Sequence, residues 1–294
     1  FTAKGGWEKN ENVKHFLSYA EKVTNELGDL IDIVCTINEA NLTACFAHSF
    51  QSYPENGMKA IMPFIKEAAE ECGSTLENFG PFLFGHPFKI RDCMMEAHVK
   101  SVPIIKSILN NNQPVGVTLS IMDYQAAEGG EKVRDQAYAE SVDCCLDQVT
   151  NDDFVGVQMY TRHTYGPDGI IKPKADDPNM LVMGYEYYPE SLENVVRYVS
   201  SKIKTPIMIT ENGIGTDDDN QRIEYLTTAL QGLQKCLDDG IDVRGYFCWS
   251  LLDNFEWLFG YKPRFGLVEV NRETLDRTAK ESFKFFKDVI DQSS

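Results

Sequence analysis

Residues 206–211 read PIMITE, a short apolar run that is rich in isoleucine and ends on a glutamate. Four other runs have the same character, at residues 31–39, 114–121, 154–160 and 245–251. Continuous hydrophobicity over so few residues is typical of a strand that is buried on both faces of a parallel sheet. We therefore predict five parallel strands.

Longer amphipathic segments separate these runs and predict helices at residues 11–27, 92–110, 132–149, 190–203, 220–237 and 275–290. Apolar side chains recur on one stripe of the first segment, and Gly28 suits its C-terminal end. We interpret residues 46–89 as a loop-and-helix insertion that follows the first strand. Insertions at the C-terminal ends of barrel strands usually shape active sites.

Strands that alternate with helices indicate a parallel α/β architecture, which is either a doubly wound sheet or a (β/α)8 barrel. The chain contains neither GxGxxG nor GxxxxGK[ST], and this favours the barrel. Five strands cannot close an eight-stranded barrel, so the open edges would need a partner chain or self-association. No shift in composition marks a second domain. We predict one barrel domain over residues 1–294 that is incomplete at its N-terminus.

Charge and cysteine usage exclude several classes of function. The formal net charge is −17, which disfavours binding to nucleic acid or to an anionic membrane surface. No apolar run approaches the roughly 18–20 residues of a membrane span. The eight cysteines form no CxxC pair, which favours a reduced, cytoplasmic compartment. The five histidines have no metal-ligand spacing, so we expect neither a metal nor a cofactor.

Two of the predicted strands end in a glutamate, Glu39 and Glu211. In a parallel barrel these strand ends share one mouth, so we expect both carboxyls to face one cavity. Such a pair is the minimal equipment for glycoside hydrolysis, in which one group protonates the leaving oxygen and the other attacks the anomeric carbon or activates water. Strand-end glutamates can equally be solvated or paired with lysine, and position alone leaves both interpretations open.

Polar and aromatic neighbours favour a sugar site. Asn38 precedes Glu39 and Asn212 follows Glu211, and amides bind hydroxyls without adding charge. Glu256 can accept hydrogen bonds from two adjacent hydroxyls. Aromatic residues, whose faces can stack on a pyranose, cluster near the last strand: Trp249, Phe255, Trp257, Phe259, Tyr261 and Phe265. Plain core packing is the alternative for this cluster, and it is favoured for Phe259 and Phe265.

Four longer strings resemble glycoside hydrolase family 1: TINEA at 36–40, ITENG at 209–213, WSLLDNFEW at 249–257 and GYKPRFGLVEV at 260–270. The resemblance extends over nearly the whole chain and corresponds to the last five of the family's eight βα units. It implies a (β/α)8 TIM barrel of the retaining glycosidase type, with the first three βα units absent from this chain. The implied activity is that of a β-glucosidase-like O-glycoside hydrolase.

The resemblance also implies roles. Glu39 would be the general acid/base and Glu211 the nucleophile of a double displacement. Asn38 would bind the sugar 2-hydroxyl, and Tyr160 would donate a hydrogen bond to the nucleophile. Gln158 stands where the family usually has Asn, with no evident consequence.

The glycone would be held by Trp249 as a stacking platform and by Glu256 and Trp257 at the remote hydroxyls. Glu256 would repel a 6-phosphate, so we expect an unphosphorylated sugar. The aglycone would be read by residues 46–64 and 162–188. The expected partner is thus a small β-glycoside, with self-association or a preceding N-terminal segment covering the open edges. The alternative is a non-catalytic, split or truncated chain that binds sugar or a partner without turnover.

Overall fold

The computed structural model describes residues 1–49, 55–110, 112–174 and 176–293. Its helices are α1 Val13–Leu27, α2 Leu42–Ser49, α3 Glu55–Glu71, α4 Pro87–Ile108, α5 Glu131–Tyr138, α6 Cys144–Leu146, α7 Ser191–Lys202, α8 Asp219–Asp238 and α9 Glu281–Ser293. Its strands are β1 Val34–Cys35, β2 Val115–Ser120, β3 Asp123–Ala126, β4 Phe154–Met159, β5 Arg162–Gly166, β6 Gly169–Ile170, β7 Ile207–Asn212, β8 Val243–Cys248, β9 Val268–Val270 and β10 Arg277–Ala279.

The main sheet contains the five predicted strands in the order β1-β2-β4-β7-β8. β1 runs parallel to β2, with Val34 opposite Val115, and β7 runs parallel to β8, with Ile207 opposite Val243. All six residues of β2 and all six of β4 are buried, as the apolar runs predict. The parallel α/β prediction is therefore confirmed.

Two strand predictions need correction. Only Val34–Cys35 of the run at 31–39 forms a strand, because the chain then turns and Ala40 N donates to Thr118 O at 3.2 Å. β8 is not buried throughout, and Phe247 is 53% exposed. β8 is the last strand in the order of the sheet and has one strand partner there. The hydrophobicity of its sequence therefore does not mean that both of its faces are buried.

The chain divides into two compact units. Unit 1 comprises Phe1–Ser120, Lys132–Gly156 and Ile203–Thr205, and unit 2 comprises Ile121–Glu131, Val157–Lys202 and Pro206–Ser294. The single-domain interpretation of residues 1–294 stays a prediction.

In unit 1, helices α1 and α4 pack beside β2. Ala20, Ile105 and Val115 form a buried cluster against which Phe16 and Leu109 pack. The insertion at 46–89 contains α3 and the end of α2, and residues 50–54 of it lie outside the described residues. The helix predicted at 132–149 is interrupted by a π-helical turn, Ala139–Asp143.

Unit 2 contains two small sheets that the hydrophobic pattern misses. β3 pairs in parallel with β5, and β5 pairs antiparallel with β6. β9 and β10 form an antiparallel pair, so the helix predicted at 275–290 begins only at Glu281. Leu275 lies in the turn of this pair with φ 62°, which is incompatible with a helix there. Among the described residues, no helix is both long and apolar enough to cross a membrane.

Candidate active site

β7 presents Glu211 at its C-terminal end, in unit 2. The Tyr160 hydroxyl donates to Glu211 Oε2 at 2.5 Å, and Gln158 Nε2 donates to Oε1 at 2.8 Å. Gln158 lies in β4 and Tyr160 directly follows it, so the alternation of strand side chains places both on the same side. Each carboxylate oxygen of Glu211 therefore has a donor of its own.

The electrostatics of Glu211 combine opposing effects. Burial raises its pKa above the usual value, the hydrogen bond from Tyr160 lowers it, and the negative charge of Glu256 raises it again. Burial is the largest of these causes, since it removes the solvation of the carboxylate. The hydrogen bond from Tyr160 opposes this rise in the pKa of Glu211 without cancelling it.

Asn212 differs from its predicted role of binding a sugar hydroxyl. Its side chain is fully buried, with Nδ2 donating to Met159 O at 2.8 Å and to the Tyr225 hydroxyl at 3.0 Å. The Tyr246 hydroxyl donates to its Oδ1 at 2.8 Å. Asn212 therefore fixes β7 through its buried side chain, whereas the side chain of Glu211 contacts Tyr160 and Gln158.

The segment after β8 carries a second polar group. Glu256 Oε1 accepts from Asn254 Nδ2 at 2.6 Å and from Trp249 Nε1 at 3.3 Å. A Cβ at Gly213 would lie 1.9 Å from Trp249 O, so only glycine allows β7 and Trp249 to approach this closely. Trp249 and Glu256 are thus held together on the same unit as Glu211.

The members of the aromatic cluster differ in their solvent exposure. Phe265 is 2% exposed and packs in the core, as expected. Phe259 is 44% exposed, so core packing was the wrong expectation for it. Trp257 is 84% exposed and stands at φ 30°, while Phe255 and Tyr261 pack edge to face with ring centroids 5.2 Å apart. Trp257 is thus the most exposed ring of the cluster, whereas the guanidinium of Arg272 covers the Tyr261 ring, 4.1 Å from its centroid.

Glu39 lies in unit 1, in the turn after β1. Its backbone has φ 48°, a left-handed conformation that costs a residue other than glycine about 1–3 kcal/mol. Glu39 N donates to Thr118 Oγ1 at 3.0 Å, and that hydroxyl donates to Asn38 Oδ1 at 3.1 Å. Asn38 is exposed and Glu39 is partly exposed. The meeting of Glu39 and Glu211 in one cavity stays a prediction.

Sequence reasoning missed two contributors. Gln158 appeared only as an unexplained departure, although it shares a strand face with Tyr160, and that shared face was the available signal. Thr118 carried no signal, because its role depends on the pairing of β1 with β2. Among the described residues, no group of three or more histidine, cysteine, aspartate or glutamate side chains could hold a metal ion.

Comparisons with known proteins identify the family of this chain. The family model described as Glycosyl hydrolase family 1 matches residues 1–177 and 148–294. Beta-glucosidase A of Acetivibrio thermocellus is 26% identical over 98% of this chain and 70% of its own length. Beta-glucosidase A of Thermotoga maritima is 26% identical over 98% of this chain and 69% of its own length.

Among solved structures, the beta-glycosidase BGL167 is 39% identical and superposes with a TM-score of 0.89. The alignment covers 100% of this chain and 70% of that one. The matches thus extend over the whole chain. The chain belongs to glycosyl hydrolase family 1 and is a glycoside hydrolase.

Proposed function

We propose that this chain hydrolyses unphosphorylated O-β-D-glycosides, in the manner of a β-glucosidase, with retention of anomeric configuration. The observation that carries the proposal is the Glu211 carboxylate, held at 2.5 Å by Tyr160 and at 2.8 Å by Gln158. The names of the relatives, several of them β-glucosidases, support the substrate class. Family membership does not favour the alternative of a chain without turnover.

Glu211 is the nucleophile in this proposal. One carboxylate oxygen attacks the anomeric carbon, the bond to the aglycone oxygen breaks, and a covalent glycosyl-enzyme ester forms. Donors on both oxygens orient the carboxylate and spread its charge. A leaving Glu211 carboxylate in the second step regains both hydrogen bonds, which favours hydrolysis of the ester.

Glu39 is the proposed general acid/base. It gives its proton to the departing glycosidic oxygen in the first step and takes a proton from water in the second. In retaining enzymes the two carboxyl groups lie about 5–5.5 Å apart, and the proposal requires this separation for Glu39 and Glu211. Asn38, whose Oδ1 accepts from Thr118 Oγ1, is the proposed partner of the sugar 2-hydroxyl.

Trp249, Glu256 and Trp257 are the proposed glycone contacts. Trp249 provides an aromatic face, and Glu256 accepts hydrogen bonds from remote hydroxyls. The carboxylate of Glu256 would repel a 6-phosphate, which supports a neutral sugar. The aglycone is proposed to contact residues 46–64 and 162–188, of which residues 50–54 and 175 lie outside the described part of the chain.

The correspondence of the strands to the family's barrel and the cellular location of the protein are also proposals. We propose that the five parallel strands correspond to the last five βα units of the family's eight-unit barrel, in line with a match to about 70% of the relatives' length. None of the eight cysteines, all in described parts of the chain, forms a disulfide, which supports a cytoplasmic location.

Trapping of the intermediate tests the function directly. The protein is incubated with 2,4-dinitrophenyl 2-deoxy-2-fluoro-β-glucoside, and its intact mass and peptides are measured. We expect one fluoroglycosyl group on Glu211, and no labelling of Glu211→Gln. Glu224→Gln is the matched control, because Glu224 is an exposed glutamate on α8 of the same unit. A label on another residue, or an inverted product anomer by NMR, would refute the proposal.

A further inference from the structure

Asn41 is a fully buried amide two residues beyond Glu39, in unit 1. Its Nδ2 donates to Ser120 O at 2.8 Å and to Ser141 O at 2.9 Å. Its Oδ1 accepts from Ser120 N at 2.8 Å. One side chain therefore joins the turn after β1 to the end of β2 and to the π-helical turn Ala139–Asp143.

The main chain of Asn41 is fixed as well. Its carbonyl accepts from Ala44 N at 3.0 Å and from Cys45 N at 3.1 Å, the first bonds of α2. Asn41 is thus hydrogen-bonded at both its backbone and its amide. The short turn at residues 38–41 is thus held at one end by Thr118 and at the other by the contacts of Asn41.

Glu39 lies inside this held turn. Its N–H is bound by Thr118 Oγ1 at 3.0 Å, and its carbonyl accepts from Leu42 N at 2.9 Å. Its backbone nevertheless has φ 48°. A left-handed conformation at a residue with a side chain persists only where the surroundings over-determine it, and such strain concentrates at functional sites.

We propose that Asn41 is a positioning residue that holds the Glu39 turn in the conformation from which the Glu39 carboxyl protonates the leaving group. The inference rests on the proposed role of Glu39 as acid/base. Proton transfer requires a heavy-atom separation of about 2.6–3.2 Å, and a displacement of about 1 Å can cost about a hundredfold in rate.

The bonding pattern specifies asparagine. Two carbonyl acceptors, the Sγ of Cys45 and one N–H donor face the side chain, and an amide with two N–H donors and one oxygen suits this set. In Asn41→Asp an oxygen would face the carbonyls of Ser120 and Ser141 at the same volume. Repulsion between these oxygens would displace the turn, although the volume of side chain 41 stays nearly the same.

The test compares Asn41→Asp and Asn41→Ala with wild type across aryl β-glucosides of graded leaving-group acidity. A 2,4-dinitrophenolate leaves without protonation, whereas a phenolate needs the acid. We expect kcat/KM to fall by at least about tenfold for the phenyl glucoside and by less than about threefold for the dinitrophenyl glucoside.

Asn12→Ala is the matched control, because Asn12 is a buried asparagine of unit 1 whose Nδ2 donates to Lys4 O and Gly6 O, each at 2.9 Å. In Asn12→Ala, the change in kcat/KM relative to wild type should not depend on the leaving group. Equal losses on both substrates in the Asn41 variants would mean a merely structural role and would overturn the inference, as would failure of both variants to fold. If Glu39→Ala itself shows no dependence on the leaving group, the acid/base assignment fails instead, so the two failures are distinguishable.

Discussion

The two proposed catalytic carboxyls are supported in opposite ways. Glu211 lies near the C-terminal end of a six-residue strand, and its carboxylate is bound by two side-chain donors. Glu39 follows a two-residue strand, and its backbone is held in a left-handed turn by Thr118. In unit 2 the side chain is fixed, and in unit 1 the main chain is fixed.

The difference suits the two roles. A nucleophile needs one orientation and a stabilised negative charge, which donors on both oxygens provide. An acid/base alternates between charged and neutral forms, so strong donors that favour one form would hinder it. In Glu39, hydrogen bonds to the main chain fix the backbone that carries the proposed acid/base.

Removal of each carboxyl should give the largest contrast. We expect Glu211→Gln to lose activity on every aryl β-glucoside by at least about a thousandfold. Glu39→Gln should lose about 10²–10⁴-fold on the phenyl glucoside and far less on the dinitrophenyl glucoside, because only the former leaving group needs a proton. Steady-state kinetics on both substrates measure these losses of activity. If the losses depend on the leaving group in the same way in both variants, the assignment of different roles is wrong.

Tyr160→Phe should weaken the support of Glu211. The variant removes the donor to Oε2, so the pKa of Glu211 rises further above its already raised value. Glu211 must be ionised to attack, and the acidic limb of the kcat/KM profile should therefore move to higher pH. The loss of a hydrogen bond to a charged group, worth about 1.5–3 kcal/mol, predicts a rate loss of roughly ten- to hundredfold.

The control for this change is Tyr198→Phe on α7, which should leave the pH profile in place. An acidic limb that stays fixed in Tyr160→Phe would show that the nucleophile is not the group that titrates there.

Thr118→Val tests the main-chain support of Glu39. It removes the acceptor for Glu39 N and the donor to Asn38 Oδ1. We expect the free energy of unfolding to fall by about 1–3 kcal/mol, because two part-buried hydrogen bonds are lost. Urea unfolding measures the change, and Thr43→Val, which removes one bond to Pro87 O, should cost less. Equal costs would mean that the Glu39 turn does not depend on Thr118.

Glu256→Gln should have the smallest effect on the nucleophile. The negative charge of Glu256 raises the pKa of Glu211, so its removal lowers that pKa. The acidic limb of kcat/KM should move to lower pH, by less than about one pH unit. Glu224→Gln serves as the control, and a shift to higher pH would contradict the electrostatic account.

Much of the fold could be predicted from short windows of sequence. Residues 114–121 and 154–160 are almost wholly apolar, and they form the buried strands β2 and β4. The hydrogen bond between Tyr160 and Glu211 was predicted from the family motifs. β8 and β1 were harder to predict, because each has one strand partner and hydrophobicity does not distinguish an edge from a centre.

Local pattern determined the strands, the helices and the identity of the glutamates, because burial and backbone preference act on neighbouring residues. Tertiary structure alone decided that Asn212 locks β7 and that Asn41 joins three elements around the Glu39 turn. These contacts join residues 53 to 100 positions apart. Hydrogen bonds over such separations exist only after the chain has folded, so no local window of the sequence contains them.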